Sequence, residues 1–281
     1  MNTSTLYLHI PYCRQACHYC DFHFSTQRST ESALLEAMRN EITLRANQTP
    51  WSGTTLSSLY FGGGTPSFLD TAEIARLIAH AKSLFSFSST IEITLEANPD
   101  DITPEKLEAW HSMGITRLSV GLQSFDDHEL RSMDRAHNAA HSVQCLKWIA
   151  EGPIENYSVD CMYGMPGSSV ESWKDHLDQL ATYLPPHLSC YALTVEEKTV
   201  LHHQINSGET SQPSDEIIVA QFEALRAWAG LHGYTHYELS NFALPNNPSR
   251  HNSHYLSRQP YPGVRPCSPF FHAAELRCSP S

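Results

Sequence analysis

The chain has 281 residues, 41% of them hydrophobic, so it can bury a sizeable core without disulfide staples. Its 30 acidic residues against 18 Lys and Arg give a formal net charge of −12, which argues against binding to a nucleic-acid backbone because such binding needs a basic surface. No run approaches the roughly 20 apolar residues of a membrane span. The polar start is not a signal peptide, so we expect a cytoplasmic protein with no transmembrane segment.

Runs of strand character alternate with stretches of helical spacing along the chain. The predicted strands are 6–10, 59–61, 91–96, 117–123, 158–163 and 188–195, with a seventh at 234–242. The predicted helices are 31–45, 71–84, one opening at Thr103-Pro104, 143–150, 170–184 and 215–232. This alternation predicts parallel strands joined by right-handed crossovers, hence an α/β fold.

The predicted strands have one apolar and one polar face. In the fourth strand, Leu118, Val120 and Leu122 oppose Ser119, Gly121 and Gln123, because side chains alternate along a strand. A parallel sheet covered by helices on both faces reads as a nearly continuous apolar run, and these strands do not. We therefore expect a partial (β/α)6 barrel of the TIM type over residues 1–233. Its polar face lines a ligand-filled lumen, and its functional groups gather at the carboxyl ends of the strands.

A cluster of cysteines follows the first strand. Cys13, Cys17 and Cys20 form C-x3-C-x2-C on one loop, and three thiolates so close together predict a soft-metal site in a reducing compartment. The spacing favours an iron–sulfur cluster. A zinc site of three cysteines and one of the nearby histidines remains an alternative, and with it the interpretation of the chain as a zinc-binding structural module.

The sequence around these cysteines resembles that of a known family. The C-x3-C-x2-C loop is the hallmark of the radical S-adenosylmethionine (radical SAM) superfamily, and Tyr7-Leu8-His9-Ile10-Pro11-Tyr12-Cys13 resembles the oxygen-independent coproporphyrinogen III oxidase family within it. The ending Tyr19-Cys20-Asp21-Phe22 is similar to the heme-chaperone branch, HemW. The resemblance implies a [4Fe-4S] cluster on the three cysteines, bound S-adenosylmethionine and, in an active member, its cleavage to a 5′-deoxyadenosyl radical.

The resemblance also implies a set of cofactor contacts. Gly63, Gly64 and Thr65 match the family's GGGTP motif, which grips the methionine moiety. Further positions match residues that face the S-adenosylmethionine; they are Tyr7, Tyr19, Glu96, Gln123, Arg135, Asp160 and Ala192. No residue is assigned as catalytic.

A second motif near the end of the chain concerns heme. His251-Asn252 and Tyr255 resemble the HNxxYW motif of the chaperone branch, with Leu256 at the Trp position. This implies heme as a further ligand, bound by His251, Asn252 and Tyr255, and an unidentified acceptor protein as a partner. Phe22 stands where the oxidase carries a fourth nearby cysteine, which favours the chaperone. Oxidative decarboxylation of coproporphyrinogen III is the alternative function.

The family pattern ends after Tyr261. Residues 234–262 are expected to begin the HemW-type C-terminal region. Residues 263–281 are expected to form an irregular, mobile tail in a truncated or aberrant C-terminal region, because prolines crowd this stretch.

Overall fold

Six β/α units in chain order build the molecule. The computed structural model describes residues 3–257, 261–264, 269–272 and 275–278. The six strands are β1 (Thr3–Ile10), β2 (Thr55–Gly63), β3 (Ser86–Ala97), β4 (Arg117–Gln123), β5 (Tyr157–Tyr163) and β6 (His187–Ala192). The helices up to residue 231 are α1 (Glu31–Ala46), α2 (Thr71–Leu84), α3 (Pro104–Ser112), α4 (Asp127–Ser132), α5 (Ala139–Glu151), α6 (Val170–Ala181), α7 (Val200–Asn206) and α8 (Asp215–Leu231).

Strands β1 to β6 pair in parallel and in sequence order. Each crossover between them contains at least one helix, as parallel pairing requires. The predicted α/β fold class is confirmed. Among the described residues the sheet is open rather than closed into a barrel, because a short antiparallel strand flanks β6 and another short strand flanks β1.

The registers align the side chains of neighbouring strands into rows. One row is apolar and fully buried, and it runs across four strands through Leu8, Phe61, Leu95 and Leu118. The next row, on the opposite face, is polar and contains Glu96, Ser119 and Ser158. The alternation expected from the sequence therefore holds across the sheet, with the apolar face in the main hydrophobic core.

The helix starts follow the capping residues. Asp70 accepts a hydrogen bond from the backbone N–H of Ala72 at 2.9 Å and caps α2, and Thr103 accepts from Lys106 at 3.2 Å before Pro104 opens α3. Helix α5 begins earlier than the predicted residue 143, because the Asn138 side chain caps it. No helix in the described ranges is long and apolar enough to cross a membrane.

Two predictions for the C-terminal part need correction. The single strand expected at 234–242 is two short strands, β7 (Thr235–His236) and β8 (Asn241–Ala243), because a turn folds β8 back against β6 in the antiparallel direction. The segment expected to be irregular from residue 263 onward contains strands β9 (Gly263–Val264), β10 (Pro269–His272) and β11 (Glu275–Cys278).

The physical reason for β9 is the exposed edge of β1. Tyr7 donates its backbone N–H to the Pro262 carbonyl at 3.2 Å, and Val264 is fully buried beside this strand, so β9 covers an edge that would otherwise be unpaired. Strands β10 and β11 pair with each other in the antiparallel direction. The rest of the predicted tail, residues 265–268, 273–274 and 279–281, lies outside the described residues.

Candidate functional site

A closed loop carries the three cysteines at the carboxyl end of β1. Cys13 donates its backbone N–H to the Ser25 carbonyl at 3.0 Å, and Ser25 donates to the Pro11 carbonyl at 2.7 Å, which ties the two ends of the loop together. Within it, Cys20 donates to the Cys17 carbonyl at 3.1 Å. Cys13, Cys17 and Cys20 are partly buried free thiols. This loop, residues 12–25, is called the cysteine loop below.

Side chains of the cysteine loop anchor it to two other loops at the same sheet edge. Arg14 donates to Asp101 at 2.7 Å, on the turn after β3, and Gln15 donates to Asp134 at 2.5 Å, on the turn after α4. His18 donates its backbone N–H to the Met133 carbonyl at 3.0 Å. The thiols are therefore presented by a fixed backbone.

Two donors point at the thiol sulfurs. The Thr65 hydroxyl lies 3.6 Å from Cys13 Sγ, and Arg135 Nη1 lies 3.4 Å from Cys17 Sγ. Burial raises the pKa of Cys13 and raises the pKa of Cys20 to about 11. A metal centre that binds these two residues therefore has to displace their thiol protons, and its binding should weaken as pH falls.

A cavity of about 480 Å³ opens beside the cysteine loop. Of the thirteen residues predicted for the cluster and the cofactor, all but Tyr7 line it: Cys13, Cys17, Tyr19, Cys20, Gly63, Gly64, Thr65, Glu96, Gln123, Arg135, Asp160 and Ala192. They come from strands β2 to β6 and from three loops, which are the cysteine loop, the turn after β2 and the turn after α4. Their convergence agrees with the expected lumen, and their individual roles remain predictions.

Two acidic groups shape the electrostatics of this cavity. Burial raises the pKa of Glu96 to about 7 and that of Asp160 to about 6, and the Asp160 carboxylate adds to the rise at Glu96. Glu96 accepts from the Tyr60 hydroxyl at 2.9 Å and from the Gly63 backbone N–H at 3.0 Å, while Asp160 accepts from Ser119 at 3.1 Å. Such partly neutralised carboxyls favour a cationic ligand, whose charge stabilises their ionised forms.

The glycine turn after β2 allows the close approach of two segments. Gly63 has φ of +116°, and a Cβ there would come within 2.7 Å of the His9 ring. A Cβ on Gly64 would lie 2.9 Å from Cys13 Sγ and 2.8 Å from the Pro11 backbone. The turn therefore needs glycine where it passes beside the cysteine loop.

Tyr7 lies beside the cysteine cavity rather than in its wall, and its contact with S-adenosylmethionine remains a prediction. Its hydroxyl lies 3.3 Å from His9 Nδ1, and its ring lines a neighbouring aromatic pocket of about 330 Å³ rather than the cysteine cavity. Tyr7 lies on the polar face, one residue out of phase with Leu8, and pairs with Tyr60 before the carboxyl end of β1. Glu96 and Phe22 line both spaces, so the two adjoin.

The three predicted heme residues lie on helix α9 (Arg250–Leu256) and line this aromatic pocket. His251 is buried, its Nδ1 lies 2.9 Å from the Ser58 hydroxyl, and its ring centroid is 4.6 Å from that of Tyr60. Burial lowers the pKa of His251 to about 3, so the imidazole is neutral at physiological pH. Tyr255 is 54% exposed at the pocket mouth.

Glu92 fixes the start of this helix. It is buried, and it accepts hydrogen bonds from the backbone N–H groups of Arg250 at 3.2 Å and of His251 at 3.1 Å. A carboxylate at the first turn of a helix satisfies donors that have no partner within the helix. The position of His251 is thus set by the sheet, since Glu92 belongs to β3.

Comparison with known proteins identifies the family. The model of the radical SAM superfamily matches residues 7–180, which contain the cysteine loop and most of the cavity wall. The chain belongs to the radical SAM superfamily. Heme chaperone HemW of Bacillus subtilis is 32% identical, with coverage of 92% of this chain and 68% of the relative. This radical SAM protein is therefore HemW-like, as the resemblance predicted.

Two further comparisons extend this result. A zebrafish (Danio rerio) protein named radical S-adenosyl methionine domain-containing protein 1, mitochondrial, is 33% identical over 94% of this chain and 59% of its own length. The solved structure of coproporphyrinogen III oxidase HemN from Escherichia coli superimposes with a TM-score of 0.83 at 24% identity, over 96% of this chain and 64% of that one, and it shows the shared fold. The chain thus spans 59% of the zebrafish relative and 68% of the Bacillus relative.

Membership of the superfamily implies a [4Fe-4S] cluster and S-adenosylmethionine, and the donor groups of the cavity fit both. Three thiols suit three irons of a cubane. S-Adenosylmethionine carries an ammonium, a sulfonium and a carboxylate, which match the carboxyls of Glu96 and Asp160 and the guanidinium of Arg135. Arg135 Nε is buried and has no hydrogen-bond partner among the described residues.

The zinc alternative requires a different arrangement of ligands. A structural zinc ion needs about four ligands around one point, and within the described ranges no three His, Cys, Asp or Glu side chains converge so closely. A cubane does not require this convergence, because each cysteine binds a different iron. Three cysteines outside the loop, Cys145, Cys161 and Cys190, are buried in the core as expected.

Three residues of the site are not predicted by the motifs of the sequence. Tyr60 bonds to Glu96, Tyr191 lines the cavity, and Asn98 bonds to both Thr65 and Arg135. Tyr60 could have been found from the alternation of β2, because it lies between the apolar Leu59 and Phe61. The role of Asn98 leaves no signal in the sequence, since it depends on contacts between segments that are distant in the chain.

Proposed function

We propose that this chain is the cofactor-binding core of a HemW-type heme chaperone, which holds a [4Fe-4S] cluster, S-adenosylmethionine and heme and passes the heme to an acceptor protein. One observation carries the proposal. The cavity beside Cys13, Cys17 and Cys20 and the aromatic pocket beside His251 share a wall formed by Glu96 and Phe22. A cluster and a porphyrin bound there would be neighbours.

In this proposal the cysteine cavity binds and orients the first two ligands. Cys13, Cys17 and Cys20 hold the cluster, and Thr65 and Arg135 donate hydrogen bonds to the sulfurs of Cys13 and Cys17. Glu96 and Asp160 attract the cationic groups of S-adenosylmethionine, and the glycine turn lets the backbone approach it. When bound, the reduced cluster and S-adenosylmethionine together supply one-electron chemistry.

The aromatic pocket is proposed to hold the heme. Its neutral His251 has Nδ1 engaged by Ser58, which leaves Nε2 as the nitrogen for an iron ligand. Tyr255 and Phe22, which is 69% exposed, offer apolar surface to the macrocycle at the pocket mouth. The acidic surface does not oppose this role, because the porphyrin core is apolar.

The location and the partner are part of the proposal. We propose a cytoplasmic chain, although a relative from zebrafish is named mitochondrial. The acceptor is proposed to be a heme-binding protein. The oxidase alternative would need coproporphyrinogen III to reach the same cavity.

The test is anaerobic reconstitution with iron and sulfide, followed by titration with heme and by incubation with coproporphyrinogen III and S-adenosylmethionine. We expect heme to bind, with a Soret band, and no decarboxylated product to form. Tyr255→Ala should weaken heme binding about threefold to tenfold, because it removes one aromatic contact. His251→Gln should change the Soret band, because it removes the iron ligand.

A matched control is His111→Gln, on the exposed side of α3, which should leave the heme spectrum unchanged. Formation of a vinyl product would reject the chaperone in favour of the oxidase. A colourless chain that takes up stoichiometric zinc would reject both in favour of the structural module.

A further inference from the structure

Asn98 lies where two hydrogen-bond paths to the thiols meet. It follows β3 and lines the cysteine cavity. Its side-chain Nδ2 lies 3.3 Å from Thr65 Oγ1, and its Oδ1 lies 2.7 Å from Arg135 Nη2. Thr65 and Arg135 are the two residues that donate to Cys13 Sγ and Cys17 Sγ. One amide therefore touches both donors.

The chemistry of these groups fixes the direction of each bond. Arginine only donates, so the oxygen of the Asn98 amide must face Arg135 and its NH2 group must face Thr65. The Thr65 oxygen accepts from Asn98, and its single proton is then available to Cys13. Without Asn98, the hydroxyl could rotate and donate elsewhere.

The backbone around Asn98 holds the amide in place. Asn98 precedes Pro99, which restricts it to extended backbone, and it has φ of −90° and ψ of 149°. Its N–H donates to the Ser67 hydroxyl at 3.3 Å, and Ser67 in turn donates to Asp101 at 2.8 Å. Asp101 is the residue that Arg14 of the cysteine loop contacts.

We infer that Asn98 is a positioning residue for the metal centre: its amide directs the Thr65 hydroxyl onto Cys13 and the Arg135 guanidinium onto Cys17. This inference rests on the proposed binding of the cluster by the three cysteines. Hydrogen bonds to cluster thiolates stabilise the more negative, reduced state and so raise the reduction potential. Asn98 thereby sets the potential of the cluster without touching it.

The test is a double-mutant cycle read out as the midpoint potential of the reconstituted cluster. In the wild-type background, Thr65→Val removes one hydrogen bond and should shift the potential to a more negative value. In Asn98→Asp, both carboxylate oxygens accept, so the Thr65 hydroxyl turns from Cys13 to the new carboxylate. Thr65→Val should then cause no further shift.

Two more variants complete the design. Asn47→Asp makes the same substitution at an exposed position after α1, and there Thr65→Val should shift the potential as in the wild type. Asn98→Leu removes both contacts without adding a charge and should make the potential more negative than that of the wild type, with iron content and circular dichroism unchanged. This combination separates an effect on the donors from a general loss of structure.

The outcomes distinguish this inference from the proposed function. A wild-type chain that assembles no iron–sulfur cluster overturns both. A cluster that assembles normally, with the same Thr65→Val shift in the wild-type and Asn98→Asp backgrounds, overturns the role of Asn98 alone. An unchanged potential in Asn98→Leu overturns it as well.

Discussion

The two faces of the sheet are built by the same strands and differ in almost every physical respect. On one face, Leu8, Phe61, Leu95 and Leu118 form a continuous buried row against the helices. On the other face, the polar row that contains Glu96 and its neighbours faces the cysteine cavity. Substitutions on the first face should therefore affect stability, and substitutions on the second should affect ligands and pH dependence.

Hydrogen bonds stabilise the buried acidic side chains of the polar face. Each is held by hydrogen bonds from the sheet itself, as Ser119 and Ser158 hold Asp160 at 3.1–3.2 Å. The buried polar groups are thus paired rather than isolated, which limits the cost of burial. The hydrophobic burial on the apolar face offsets the remaining cost of burying these polar groups.

The largest effect is expected on the apolar face. Phe61→Ala should lower the free energy of unfolding by about 3–5 kcal/mol, because it removes a fully buried ring and leaves a cavity in the core. Urea unfolding at neutral pH measures this. The neighbouring substitution Tyr60→Phe, on the polar face, should cost about 1 kcal/mol, since it removes only the hydrogen bond to Glu96. Equal losses of unfolding free energy in Phe61→Ala and Tyr60→Phe would contradict the proposed difference between the two faces.

The next effect concerns pH on the polar face. Because burial raises the pKa of Glu96 to about 7, the folded chain binds this proton more tightly than the unfolded chain. The stabilisation is present at low pH and is lost as pH rises through about 7. The Glu96→Gln variant lacks this loss. Its unfolding free energy, measured relative to that of the wild type at the same pH, should therefore rise by about 2 kcal/mol from pH 5 to pH 8.

Urea unfolding at the two pH values measures the gain. Asp160→Asn should change the dependence in the same direction, because burial raises the pKa of Asp160 to about 6. A pH dependence identical to that of the wild type in both variants would show that these carboxyls are not shielded from solvent as described.

An effect of similar size and opposite sign is expected outside the cavity. Burial lowers the pKa of His176 to about 3, and its ring packs 4.9 Å from that of Phe125. The folded chain excludes this proton, so stability is lost as pH falls below about 6.5. His176→Gln should reduce the loss between pH 7.5 and pH 5 by about 2 kcal/mol. Urea unfolding at pH 7.5 and pH 5 measures this difference. A loss of stability in His176→Gln that equals or exceeds that of the wild type would contradict the prediction.

The sequence predicted the apolar face better than the site. The alternation of apolar and polar residues in strands such as 117–123 was sufficient to predict which side chains face the core. A shift of one residue would turn the apolar side chains to the other face, so burial of one face specifies the register. Capping residues such as Asp70 and Thr103 gave the helix starts. The single strand expected at 234–242 failed because the antiparallel return of β8 depends on pairing with β6, which no local pattern specifies.

For the site, sequence motifs predicted the residues, and the structure shows that most of these residues lie around one cavity. Cys13, Cys17 and Cys20 were identified from their spacing, whereas Glu96 and Asp160 were carried over by resemblance and are found around the same cavity. Tyr7 was selected in the same way and lies in the adjoining pocket. Asn98 could not be selected, because its two contacts join residues 65 and 135, which are distant in the chain.

The central claim is that the three cysteines of the loop hold an iron–sulfur cluster, and iron and sulfide content after anaerobic reconstitution tests it most directly. The wild type and Cys145→Ala, which alters a buried core cysteine, should each bind about four irons per chain and absorb light at about 400 nm. The triple variant Cys13→Ala, Cys17→Ala, Cys20→Ala should bind almost none. Equal iron content in the triple variant and the wild type would contradict the account.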